Sequence, residues 1–237
     1  MGDGVKCERV MRGPTDGMSG GSGDGDSTAS PLLGELLLDR YRVKSVVQET
    51  GLGVIFSGTD ENTEGDVTLR ILSDSIDATG DSAEKLMADI EVANEIDGFV
   101  PNIQVGLHGG RSLLIAQPAN GGLSLAGKLE QDGPLDASAA MEIALQILVT
   151  LDAYHGQNRQ HLALRPETVW LEVNADGVIN AQISDAGLYH VLGLEHARRK
   201  PAQCFARPEY LAPEIVAGKS LDARTDLYLV GLLLYEM

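Results

Sequence analysis

At 237 residues, the chain is long enough for one domain, or for two small lobes sharing an interface, with a core of its own. Its 18 Lys and Arg stand against 35 Asp and Glu, a formal net charge of −17. That excess weighs against a sequence-independent grip on nucleic-acid phosphates or anionic lipid, so no nucleic acid is expected and proteins are the expected partners.

Residues 1–38 read as a tail. Met1 to about Ser30 is dominated by Gly, Ser, Asp and Thr, with the run Ser19-Gly20-Gly21-Ser22-Gly23-Asp24-Gly25-Asp26, and buries too little apolar surface to order itself. It lacks the basic start and apolar core of a signal peptide. Cys7, in this tail, and Cys204 show no metal-ligand spacing, so a reducing, cytoplasmic setting is expected and a structural zinc site is not.

From Asp39 the texture changes. Tyr41 to Val47, Val54 to Ser57 and Val67 to Leu72 are β-prone runs separated by turn residues, as in an antiparallel meander. Between Asp81 and Asp97, Leu86, Ile90, Ala93 and Ile96 recur at helical spacing, and Ile103 to Leu107 and Ser112 to Gln117 return to strand. From Asp136 to His155, Ala140, Ile143, Ala144, Ile147, Leu148, Leu151 and Tyr154 share one helical face, with Asp136 as N-cap. Asn174-Ala175-Asp176-Gly177 is a turn signal between the strands Val169 to Val173 and Val178 to Ser184. Asp226 to Met237 predicts a helix apolar nearly all round, and its run Leu227 to Tyr235 is too short to span a bilayer, so membrane insertion is not expected. A strand-rich part followed by a mostly helical one is an α+β arrangement.

Five motifs then occur in a telling order. Gln48-Glu49-Thr50-Gly51-Leu52-Gly53 and Val67-Thr68-Leu69-Arg70 precede His161-Leu162-Ala163-Leu164-Arg165-Pro166-Glu167-Thr168, Ser184-Asp185-Ala186-Gly187 and Tyr210-Leu211-Ala212-Pro213-Glu214. Asp222-Ala223-Arg224-Thr225-Asp226-Leu227-Tyr228 follows the last of them. From about Asp39 to Met237 the chain resembles the eukaryotic-type protein kinases, especially their bacterial serine/threonine branch. The resemblance implies a bilobal fold, with a strand-rich N-lobe over 39–117 and a partial, helical C-lobe over 118–237. A complete large lobe carries further helices, so the terminal helix is expected to keep uncovered faces, open to a partner, to self-association or to further chain.

The same resemblance assigns site positions, and their chemistry has largely gone. Ala163 stands where the catalytic-loop Asp accepts the substrate proton, Arg165 where a Lys stands, and Thr168 where an Asn holds the second magnesium. In the phosphate loop Gln48 and Thr50 replace the first two glycines and only Gly53 remains. Arg70 replaces the phosphate-pairing Lys, and its acidic partner on the helix is Glu91 or Asp89 according to register. Gln117 completes the implied nucleotide positions. Asp185 is either the surviving magnesium ligand or a turn Asp capping a strand end.

Leu188 to Ala212 contains no Ser or Thr, Leu162 stands where the resemblance implies the Arg that receives an activation-segment phosphate, and Arg207 where it implies the Thr that helps position the catalytic Asp and Lys. His161, Trp170 and Phe205 read as packing residues, Glu214 as a structural ion-pair residue, and Arg198-Arg199-Lys200 as a solvated surface run. The leading expectation is a pseudokinase acting through protein contacts, with weak binding of ATP and Mg. The alternative is a serine/threonine kinase with a divergent site built on Arg70, Arg165 and Asp185.

Overall fold

The computed structural model describes residues 32–50, 53–72, 81–108, 111–116, 122–189 and 208–237. The first six strands are β1 (Leu36–Leu37), β2 (Tyr41–Thr50), β3 (Gly53–Asp60), β4 (Gly65–Leu72), β5 (Asn102–His108) and β6 (Arg111–Ala116). They form one sheet in the order β1-β2-β3-β4-β6-β5, each neighbouring pair antiparallel. Because side chains alternate across a strand, Tyr41, Val43, Phe56, Val67, Leu69 and Ile71 meet on one face and make a core with Leu37. The sheet therefore includes residues before 39. Leu37 is fully buried and pairs with Tyr41, but a two-residue strand has too little alternation to announce itself in the sequence.

Helix α1 (Asp81–Asn94) lies between β4 and β5 and buries Leu86, Ile90 and Ala93, as the periodicity predicts. It also buries Asp89 completely. The helix stops at Asn94 because that side chain bonds Asn102 twice, accepting from its N–H at 2.8 Å and donating to its carbonyl at 2.9 Å.

The second lobe holds β7 (Leu123–Ser124), α2 (Leu125–Asp132), α3 (Ala137–Gly156), β8 (Val169–Val173), β9 (Ile179–Ile183), α4 (Pro213–Ala217) and α5 (Ala223–Glu236). Asp136 caps α3, its carboxylate accepting from the N–H groups of Ser138 and Ala139 at 2.9 and 3.1 Å. The hairpin β8–β9 closes as expected, with Gly177 at φ 81° and Asn174 Oδ1 accepting from the Asp176 and Val178 N–H groups. The apolar face of α3 meets Leu229, Val230 and Leu233 of α5 and Val169, Leu171 and Ile183 of the hairpin in the largest core cluster.

Among the described helices α3 is the one long and apolar enough to cross a membrane, and its inner face lies in this core. The terminal helix keeps uncovered faces, with Leu227, Tyr228 and Leu234 partly exposed and Tyr235 93% exposed. Gly98 to Val100 joins the two lobes, because Val100 N–H donates to the Ile183 carbonyl at 2.8 Å and Ile183 N–H to the Gly98 carbonyl at 2.7 Å.

Candidate functional site: a cleft with an ion-paired carboxylate

The segment from His161 to Thr168 leaves α3 and enters β8 through a short 3-10 turn, Pro166–Thr168. Leu162 adopts φ 60°, a backbone conformation that residues other than glycine rarely take, so something must hold it. Asp226 does. Fully buried near the start of α5, its carboxylate accepts from the backbone N–H groups of His161 and Leu162 at 2.9 and 2.7 Å, and lies 2.8 Å from His155 Nε2.

His161 is a core residue, as expected. Its Nε2 lies 2.8 Å from the Ser184 carbonyl, which only accepts, so Nε2 carries the proton. Its ring stacks on Phe99, and complete burial holds its pKa below the usual histidine range. With Nδ1 facing the Ala163 N–H at 3.4 Å, neither ring nitrogen is free to act as a base.

Ala163 is buried and presents only a methyl group, with no side-chain oxygen to accept a proton. The hydroxyl of Thr168 is committed to the turn itself, accepting from the Arg165 N–H at 3.0 Å and donating to the Arg165 carbonyl at 2.9 Å. Arg165, 5% exposed, reaches Asp185 Oδ2 with Nη2 at 3.3 Å and has Nε 3.7 Å from Glu167. Burial pulls its pKa below the usual guanidinium range, against the pull of the Asp185 carboxylate.

From the other lobe Arg70 of β4 brings Nη2 to 2.8 Å from Asp185 Oδ1. Both oxygens of Asp185 thus face guanidinium groups. The expected partner of Arg70 on α1 is a correction: Glu91 lies on the exposed side of the helix, and Arg70 pairs with Asp185 instead. The other candidate, Asp89, is buried and lies 2.6 Å from Arg159 Nη1, a contact with no local sequence signal. Gly187 explains how α1 comes so close. At φ 73°, a Cβ there would sit 2.6 Å from the Asp89 Cβ, so only glycine fits.

Gly53 has a structural reason of its own, since at φ 137° a Cβ would lie 1.9 Å from the Ile71 carbonyl oxygen on β4. Of the remaining positions, Gln117, Arg198 to Lys200, Phe205 and Arg207 lie outside the described residues, as does most of the segment between Leu188 and Ala212. Trp170 is half-buried and donates to Ser184 Oγ at 3.3 Å, a packing role. The bracing by Asp226 and the Arg159–Asp89 pair were not expected from the sequence.

A strand-rich lobe with one buried-faced helix, a helical lobe, and a loop and turn meeting at the cleft define a protein-kinase fold. The sequence profile of the protein kinase domain matches residues 41–237, and the chain belongs to that family. Among curated relatives, serine/threonine-protein kinase pkn3 of Myxococcus xanthus is 24% identical over 210 residues, covering 86% of this chain and 38% of that protein. The probable serine/threonine-protein kinase PknB of Lactococcus lactis is 24% identical over 211 residues, covering 86% and 32%. The chain spans well under half the length of these relatives. The fold is shared with the crystal structure of the Mycobacterium tuberculosis PknI kinase domain, at TM-score 0.65 and 19% identity over 86% of this chain and 75% of that one.

Protein kinases use ATP with magnesium, which wants near-octahedral oxygen donors. The donors here do not fit it. Each Asp185 oxygen lies against a guanidinium, the Thr168 hydroxyl is spent on Arg165, and two fixed cations stand beside the one carboxylate.

Proposed function

We propose that this domain is a pseudokinase: a kinase-fold module that does not transfer phosphate and acts through protein contacts. The observation that carries the reading is Ala163, buried at the proton-acceptor position with no oxygen in its side chain, in a loop otherwise held in place by Asp226. Loss of a general base alone costs about 10² to 10⁴ in rate. The pairing of Asp185 with Arg70 and Arg165 removes metal clamping as well, and counts against a kinase with a divergent site. Exposed apolar positions on two helices, Met141, Leu145 and Val149 of α3 and Tyr228 and Tyr235 of α5, suit a protein that docks others.

A radiolabel transfer assay with Mg·ATP and general protein substrates tests the reading. Transfer by the wild-type chain should not exceed that of Asp185→Ala, and Ala163→Asp alone should not restore it, because the arginine pairs remain. Robust transfer that disappears in Asp185→Ala would establish the divergent-site kinase instead.

A further inference from the structure

The three charged side chains at the base of the cleft form one buried unit. Arg70, Arg165 and Asp185 are 9%, 5% and 4% exposed, and the two guanidiniums approach opposite oxygens of the one carboxylate. Glu167, at 3.7 Å from Arg165, brings the cluster close to neutrality. One donor is left over: Arg70 Nη1 is buried and has no acceptor among the described residues. An unmet guanidinium donor in a buried site is costly, and the planar fork is suited to phosphate oxygens.

We infer that the arginine pair takes the place of the metal, so that the cleft binds a polyphosphate anion, free ATP or inorganic tripolyphosphate, without a divalent ion. The phosphate chain accepts from Arg70 and Arg165, and Asp185 competes with it for both. That reverses the sign of Asp185. In a metal-dependent site the carboxylate recruits the dication and its loss weakens binding, whereas here it is an internal rival whose loss frees two cations. Magnesium also weakens binding, because it neutralises part of the phosphate charge and adds a third cation beside two fixed ones.

The inference rests on the reading of the cleft as non-catalytic. Its test is calorimetric titration and thermal unfolding of the full chain with four additions: ATP in EDTA, tripolyphosphate in EDTA, MgCl2 alone, and ATP with excess MgCl2. ATP in EDTA, with or without tripolyphosphate, should bind and raise the melting temperature. Equal response to both anions identifies the phosphate chain as the ligand, and response to ATP alone adds the base and sugar. MgCl2 alone should do nothing, and excess magnesium should weaken ATP binding several-fold. Asp185→Asn keeps the shape and should tighten metal-free binding on the order of tenfold.

Binding that requires magnesium, loss of binding in Asp185→Asn that still melts cooperatively, or no response to either anion overturns the inference. If Asp185→Asn fails to fold, the wild-type titrations decide alone. Phosphate transfer in the radiolabel assay would overturn the non-catalytic reading, while absence of both transfer and metal-free binding overturns only the inference.

Discussion

Two buried aspartates of this chain show how one residue type serves opposite ends. Asp226 spends its carboxylate on two backbone N–H groups and His155, which fixes a strained Leu162, whereas Asp185 spends its own on two arginines. Asp226→Ala leaves two buried N–H groups without acceptors at about 1–3 kcal/mol each, so the variant should lose about 3–5 kcal/mol in urea unfolding or fail to fold. Titration acts at the same scale. Arg40 grips Asp60 through two bonds of 2.8 and 2.7 Å, helped by the Asn62 N–H and the Thr63 hydroxyl, and lowers its pKa to about 2. A carboxylate depressed in the folded state stabilises fully above its unfolded pKa near 4, so on the order of 2 kcal/mol should be lost as pH falls from about 4 to 2, and Asp60→Asn should remove that slope. His161 is depressed by burial. The unfolded chain binds its proton first, so stability should decline as pH falls below about 6.5, more gently in His161→Gln.

At the scale of elements, helices and strands with strong periods emerged as expected, and the short ones did not. Helix α3 carries five turns of apolar pattern behind an Asp cap, by the usual 3.6 residues to a turn, while β1, α2 and α4 are too short for a period to stand out. The signals available for α2 are two, Ser124, whose hydroxyl accepts from the Gly127 N–H at 3.1 Å, and Gly133 past its end. Register mattered most on α1, where two carboxylates two residues apart point to opposite sides: Asp89 inward and Glu91 outward. Between β3 and β4 the close approach at Gly53 is a property of the pair of strands. Gly53→Ala should cost more than about 2 kcal/mol, read as a lower urea midpoint, because both the positive φ and the Ile71 carbonyl reject a Cβ.

For the molecule as a whole, the lobes share more than a hinge. Arg70 with Asp185, Arg159 with Asp89, and the ladder between Gly98 to Val100 and Ile183 tie the sheet and α1 to the helical lobe. Such buried cross-links should make unfolding one transition. Fluorescence of Trp170, the single tryptophan, reports the helical lobe and far-ultraviolet circular dichroism reports both, so the two melting curves should coincide; separated midpoints would show lobes that melt independently. The sequence by itself determined the kinase-type order of elements and the absence of a side-chain oxygen at position 163, because apolar period and motif order are local and alanine lacks that oxygen wherever the chain places it. Only the tertiary structure decided that Arg70 turns to Asp185 rather than to α1, that Arg159 takes Asp89, and that Asp226 braces the loop. Those partners lie far apart along the chain, and which charge meets which depends on helix register, on the contact that Gly187 permits, and on buried geometry that no local pattern encodes.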